Sequence, residues 1–86
     1  MNYRSIKTFR YPRVKPGMNG HSKSGKRVLF YFPDIEPPEV IGYCRGEPAY
    51  GGVHYEWADD LGDQVRNGND EAIAPSHWAP LPRRPR

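Results

Sequence analysis

Three histidines and one cysteine, His21, His54, His77 and Cys44, are the side chains of this 86-residue sequence best suited to hold a soft metal or supply a nucleophile. Their spacing argues against both. A zinc site draws on C-x-x-C or H-x-x-x-H pairs that one turn or helix presents to the ion, and neither pattern occurs. A thiolate nucleophile needs a base beside it, whereas Cys44 sits in an alternating apolar stretch that predicts a buried, inert thiol. Asp59, Asp60 and Asp63 could approach calcium, but their spacing is not that of the calcium loop with its closing glutamate. Gly20 to Lys26 matches the start of a phosphate-cradling glycine loop. Arg27 then stands where a hydroxyl residue is required, and a strand-like run follows where a helix is required. No metal, no cofactor and no assembled acid, base or nucleophile is implied, so the expectation is a protein that is not an enzyme.

Charge is the stronger signal. Residues 1 to 32 carry eight Lys or Arg and no acid, whereas residues 33 to 75 carry all ten acids against Arg45 and Arg66. Arg83, Arg84 and Arg86 follow. Within the basic half, Arg4, Lys7, Arg10, Arg13 and Lys15 alternate with Tyr3, Phe9 and Tyr11, so phosphates could meet the cations while a base stacks on a ring. The same cations also suit an edge strand, where they discourage sheet-to-sheet pairing. Within the acidic half, Glu56, Asp59, Asp60 and Asp63 could imitate phosphate charge and cover a basic groove on a partner protein. Tyr50, Tyr55 or Trp57 would supply the apolar anchor. A third reading has the two signs neutralise each other across neighbouring strands.

The elements that must position these residues follow from one run, Val28-Leu29-Phe30-Tyr31-Phe32, the only uninterrupted apolar stretch in the chain. Entered from Ser-Gly-Lys and stopped by Pro-Asp, it predicts a strand buried on one face or both. The loop from Pro33 to Pro38 is too short for a crossover helix, so Glu39 to Cys44 should return antiparallel as the second arm of a hairpin, with Gly42 leaving room for a ring. Residues 45 to 52 read as a turn-rich link. Val53-His54-Tyr55-Glu56-Trp57 alternates and predicts a half-exposed third strand. Residues 58 to 71 offer only Leu61 and Val65 as apolar anchors, four apart, enough for one or two helical turns at most, with the acids solvated. The proline-spaced segment from Ala72 to Pro82 should lie extended on the sheet, fastened by Trp78 and Leu81, with His77 hydrogen-bonded to fix it.

The fold class expected is mainly β (β-rich α+β). It is a small antiparallel meander of three to five strands, with at most one short helix and a proline-rich C-terminal segment packed on it. Ten prolines and nine glycines leave little room for long elements, so short strands are expected, while eleven aromatics can hold together a sheet poor in aliphatics. One domain spans 1–86, with 1–8 and 83–86 expected as flexible basic tails. A single cysteine excludes an internal disulfide, and no apolar run suits a signal peptide or membrane span, so a cytoplasmic setting is expected.

The order V-L-F-Y-F-P-D, V-I-G-Y and S-H-W-A-P-L-P resembles a small family of phage and prophage proteins catalogued as domain of unknown function 551. Val28 to Tyr31, Gly42-Tyr43 and Ser76 to Pro82 carry the likeness over roughly residues 12 to 83, with Ser76 and Ala79 where members usually have Thr and Met. The resemblance implies a β-rich phage accessory protein with no catalytic residues to carry over. Together with the charge pattern it leads to the expectation of a stoichiometric binder of a host protein, such as an anti-CRISPR-like inhibitor of a defence nuclease. The alternative is direct DNA or RNA binding through the basic arm. A homodimer through an edge strand is a further possibility.

Overall fold

A computed structural model of the chain describes residues 2–17 and 20–82. Among them six strands form one antiparallel sheet: β1 (Arg4–Ser5), β2 (Lys23–Ser24), β3 (Val28–Tyr31), β4 (Glu39–Ala49), β5 (Gly52–Asp59) and β6 (His77–Pro80). β3 lies at the centre. It pairs β4 on one side, Leu29 opposite Ile41, and β6 on the other, Phe30 opposite Trp78. β1 adds to the far edge of β6, and β5 pairs the whole second half of β4. β2 continues the edge of β4 that β3 vacates, with Lys23 opposite Gly46. The expected β3–β4–β5 meander and mainly β class are present. No helix among the described residues is long and apolar enough to cross a membrane.

Three elements differ from the sequence reading. The link expected at 45–52 is mostly strand, because β4 and β5 run on to a tight turn at Tyr50-Gly51, where Gly51 takes φ +82°. The terminal segment is not laid on the sheet but inserted into it, since β6 bonds β3 and β1 along its two edges. Residues 58 to 71 form no helix. Asp59 to Gly62 make a turn, after which Ala58 bridges Gln64 and Arg66 bridges Ala72, so this segment extends the sheet beyond β5. With only two apolar anchors, a helix there would have buried too little to hold.

Strand alternation divides the side chains between two faces. One face carries Phe30, Cys44 and Trp57, joined by Phe32, Val65 and Val28 to form the core, with Phe9, Val40, Tyr55, Ile73 and Trp78 packed at its margin. Phe30 and Phe32 are wholly buried, each contributing about 1.5–3 kcal/mol of apolar burial. The core is closed by the N-terminal arm, which crosses the sheet instead of trailing from it. Phe9 sits 5.6 Å from the rings of Phe30, Trp57 and Trp78, and Tyr11 sits 4.8 Å from Tyr55. Such edge-to-face pairs add about 0.5–1.5 kcal/mol each beyond area burial. Tyr55 hydroxyl donates to the Pro12 carbonyl at 3.1 Å and pins the arm. Residues 2–8, expected as part of a flexible tail, thus hold β1 and a single 3-10 turn over Ile6–Thr8. The basic tail expected at 83–86 lies outside the described residues.

The room for a ring expected at Gly42 is found at Gly46 instead. An added Cβ at Gly42 would meet the main chain of β5 and not a ring, whereas at Gly46 it would meet the Tyr55 ring at 2.9 Å.

Candidate functional site

Where the arm passes the β6–β3 edge it leaves a cleft of about 640 Å³. Its floor is apolar: Phe9 from the arm, Val28 from β3, and Trp78, Pro80 and Leu81 from β6 and its end. Its rim is cationic, with Arg4, Arg10, Lys26 and Arg27, and Thr8 supplies a hydroxyl. Among the described residues no carboxylate lines it. This arrangement follows from register. Arg4 pairs opposite Trp78 across β1 and β6, which places its guanidinium 5.1 Å from the centroid of the indole ring. The indole N–H donates to Thr8 Oγ1 at 3.1 Å, and Thr8 in turn donates to the Ser5 carbonyl at 2.7 Å, so the ring is held from both sides of the 3-10 turn. A guanidinium over an aromatic face is a cation–π contact, which holds Arg4 at the cleft without neutralising it.

The electrostatic state of the four cations differs. Arg27 donates to Asp60 through Nε at 2.5 Å and Nη2 at 2.8 Å, so its charge is largely matched. Among the described residues, no carboxylate comes within ion-pair distance of Arg4, Arg10 or Lys26, and all three side chains are exposed. Three uncompensated positive charges therefore surround one aromatic floor. Lys7, Arg13 and Lys15 are exposed but lie outside the cleft lining. The arm is thus split between residues that build the site and residues that merely raise the local potential.

The acidic residues are engaged differently. Glu56 takes a bond from Arg45 Nε at 2.7 Å across the β4–β5 pair, and Glu47 lies 3.5 Å from the same guanidinium. The hydrogen bond to Glu56 raises the Arg45 pKa above its ordinary value, against a smaller lowering from burial. Asp59 Oδ1 accepts from the backbone N–H groups of Leu61 and Asp63, both at 3.0 Å, and so caps the turn that follows β5. Asp60 is held by Arg27, and only Asp63 of the four is left exposed with no side-chain bond among the described residues. Trp57 is a correction: expected as a surface anchor, it is buried at the centre of the core, because its β5 position faces Cys44 on the closed side of the sheet. Tyr55 is half-buried under the arm, and Tyr50 alone of the three aromatics stands free at the hairpin tip.

Cys44 is wholly buried, and burial pushes its thiol pKa up to about 12, which leaves it protonated and unreactive. On the opposite face of the sheet Tyr3 donates to Glu39, and loss of solvent around the phenol, then that bond, lift its pKa to about 12. Its ring packs edge-on against Tyr31 and His77, and Ser76 Oγ lies 2.8 Å from His77 Nδ1. Among the described residues no three His, Cys, Asp or Glu side chains converge as a metal ion would need.

Lys26, Thr8, Trp78 and Leu81 are members of the cleft that the reading of the arm did not reach. Thr8 and Trp78 are 70 residues apart, so no local pattern joins them. The available signal was the Lys26-Arg27 pair directly ahead of the central strand, which had to project from whichever edge that strand presented. Searches of protein-family models, curated proteins and solved structures return no match to this chain.

Proposed function

We propose that the protein is a non-enzymatic nucleic-acid-binding accessory protein whose working surface is the cleft between the N-terminal arm and the β6–β3 edge. What carries this reading is the imbalance of pairing: Arg4, Arg10 and Lys26 have no carboxylate partner among the described residues, whereas Glu56, Asp59 and Asp60 are taken up in the fold's own bonds. Unmatched cations over an aromatic floor attract a polyanion that carries flat rings.

The test is equilibrium binding of a labelled oligonucleotide across about 50 to 200 mM salt. Three phosphate contacts give a slope of log K against log salt of about −2 to −3. Arg10→Glu and Lys26→Glu should each weaken binding and flatten that slope, while Asp63→Asn should leave it unchanged or slightly tighter. Binding insensitive to salt and to both reversals would refute the reading.

A second reading, stoichiometric inhibition of a host protein such as a defence nuclease, is favoured by one observation. Tyr50 at the β4–β5 tip and Leu61 in the turn after β5 are almost fully exposed, at 109% and 88%, apolar enough to anchor a partner. In that case Tyr50→Ser and Leu61→Ser abolish inhibition and the cleft reversals do not.

A further inference from the structure

The nucleic-acid reading leaves open which form of nucleic acid enters the cleft, and the apolar floor bears on that. Phosphate contacts alone need only exposed cations, and Lys7, Arg13 and Lys15 already provide them on flat surface. The cleft adds a concavity of about 640 Å³ lined by Phe9, Val28, Trp78, Pro80 and Leu81. In a duplex the base faces are stacked on their neighbours and turned away from such a floor, so a duplex would touch the rim and leave the floor wet. A single strand can turn one base outward, and the faces of that base are then free to stack. Arg4 lies over the Trp78 ring at the cleft edge, its guanidinium carbon 5.1 Å from the ring centroid, with the indole fixed by its bond to Thr8, and both a guanidinium and an indole are surfaces on which a base packs.

We infer that the cleft is a single-strand site that admits one unstacked base against the Arg4–Trp78 pair, with Arg10 and Lys26 on the adjoining phosphates. This rests on the nucleic-acid reading above. Charge is supplied by the rim and preference by the floor. DNA and RNA present the same chemistry here, so both belong in the test.

The experiment uses the intact protein and four probes of equal length: oligothymidylate, oligouridylate, an abasic deoxyribose strand with the same phosphates, and a hairpin duplex. Stacking of one base predicts that at least one of the two base-bearing single strands binds about fivefold or more tighter than both the abasic strand and the duplex. Which of the two is preferred tells DNA from RNA as the source. Trp78→Leu should remove that preference while keeping the salt slope, and Trp78→Phe should restore part of it. Leu81→Ser, at the cleft end and away from the core, provides the same comparison if the tryptophan variants do not fold. Equal affinity for all four probes with a preserved salt slope would overturn the single-strand inference and leave the phosphate reading intact. Absence of salt-dependent binding to any probe would overturn the reading on which it rests.

Discussion

Substitution of Gly42 by alanine separates backbone approach from every other source of stability in this fold. Gly42 is buried and paired on both sides, with Val28 of β3 and Asp59 of β5. A Cβ built there would overlap the Ala58 carbonyl oxygen and lie 3.0 Å from its carbon and 3.1 Å from Asp59 Cα. Carbon atoms settle at about 3.5–4.0 Å, so the two strands must part by at least about half an ångström. All three obstructing atoms are main chain, and none can rotate away without loosening the β4–β5 ladder. Overpacking of this kind costs about 1–3 kcal/mol, and a rigid obstacle places Gly42→Ala near the upper end, about 3 kcal/mol. Domains of this size are stable by roughly 4–13 kcal/mol, so the variant should fold but melt about 12–24 °C lower. Gly52→Ala is the control. It lies at the start of β5, the partner strand, meets nothing within 4 Å, and should gain about 0.5 kcal/mol through the unfolded chain. Urea titration followed by tryptophan fluorescence, with thermal melts by circular dichroism, gives both values. If Gly42→Ala lies within about 0.5 kcal/mol of the parent, or matches Gly52→Ala, the close passage of β4 and β5 is refuted.

Two further outcomes follow from the same packing. The Cys44 thiol has its pKa raised from 9.0 to about 12 by burial, so the folded state holds a proton that the unfolded chain releases earlier. The stability this contributes is complete below about pH 9 and is lost as pH rises toward 12, on the order of 4 kcal/mol across the window. Parent and Cys44→Ala should therefore differ in the alkaline limb of their urea midpoints, and parallel limbs would discount the burial of the thiol. The Arg27–Asp60 pair is half-exposed on both sides, at 53% and 50%. Solvent screens it, and a double-mutant cycle should return less than about 1 kcal/mol despite its two bonds; a larger coupling energy would mean that the pair organises the turn after β5.

The strands could be read from the sequence where pattern and burial coincide. Val28 to Phe32 is apolar on every residue because β3 is the middle of the sheet: Val28, Phe30 and Phe32 enter the core, while on the opposite face Leu29 is buried and Tyr31 half-buried. Val53 to Trp57 alternates because β5 has one face on the core. The β3–β4 hairpin followed from a loop too short for any other connection. What the pattern left undecided were positions whose environment is made by distant partners. Ala72 to Pro82 has the composition of a surface tail, yet β3 offered an unpaired edge, and hydrogen bonds along both sides of His77 to Pro80 satisfy more backbone groups than packing on a face would. Trp57 and Trp78 look alike in sequence, yet Trp57 became core because it lies opposite Cys44 beneath the arm, and Trp78 became cleft wall because β1 pairs beside it and carries Arg4 over its ring. The segregation of charge was plain in the residue order, but which acids would be consumed depended on register: Arg45 falls opposite Glu56, while Asp60 reaches back to Arg27. Alternation along a strand is a local property that the chain carries with it; which cations end without a partner depends on contacts 11 residues apart for Arg45 and Glu56 and 33 apart for Arg27 and Asp60, and only the assembled sheet decides it.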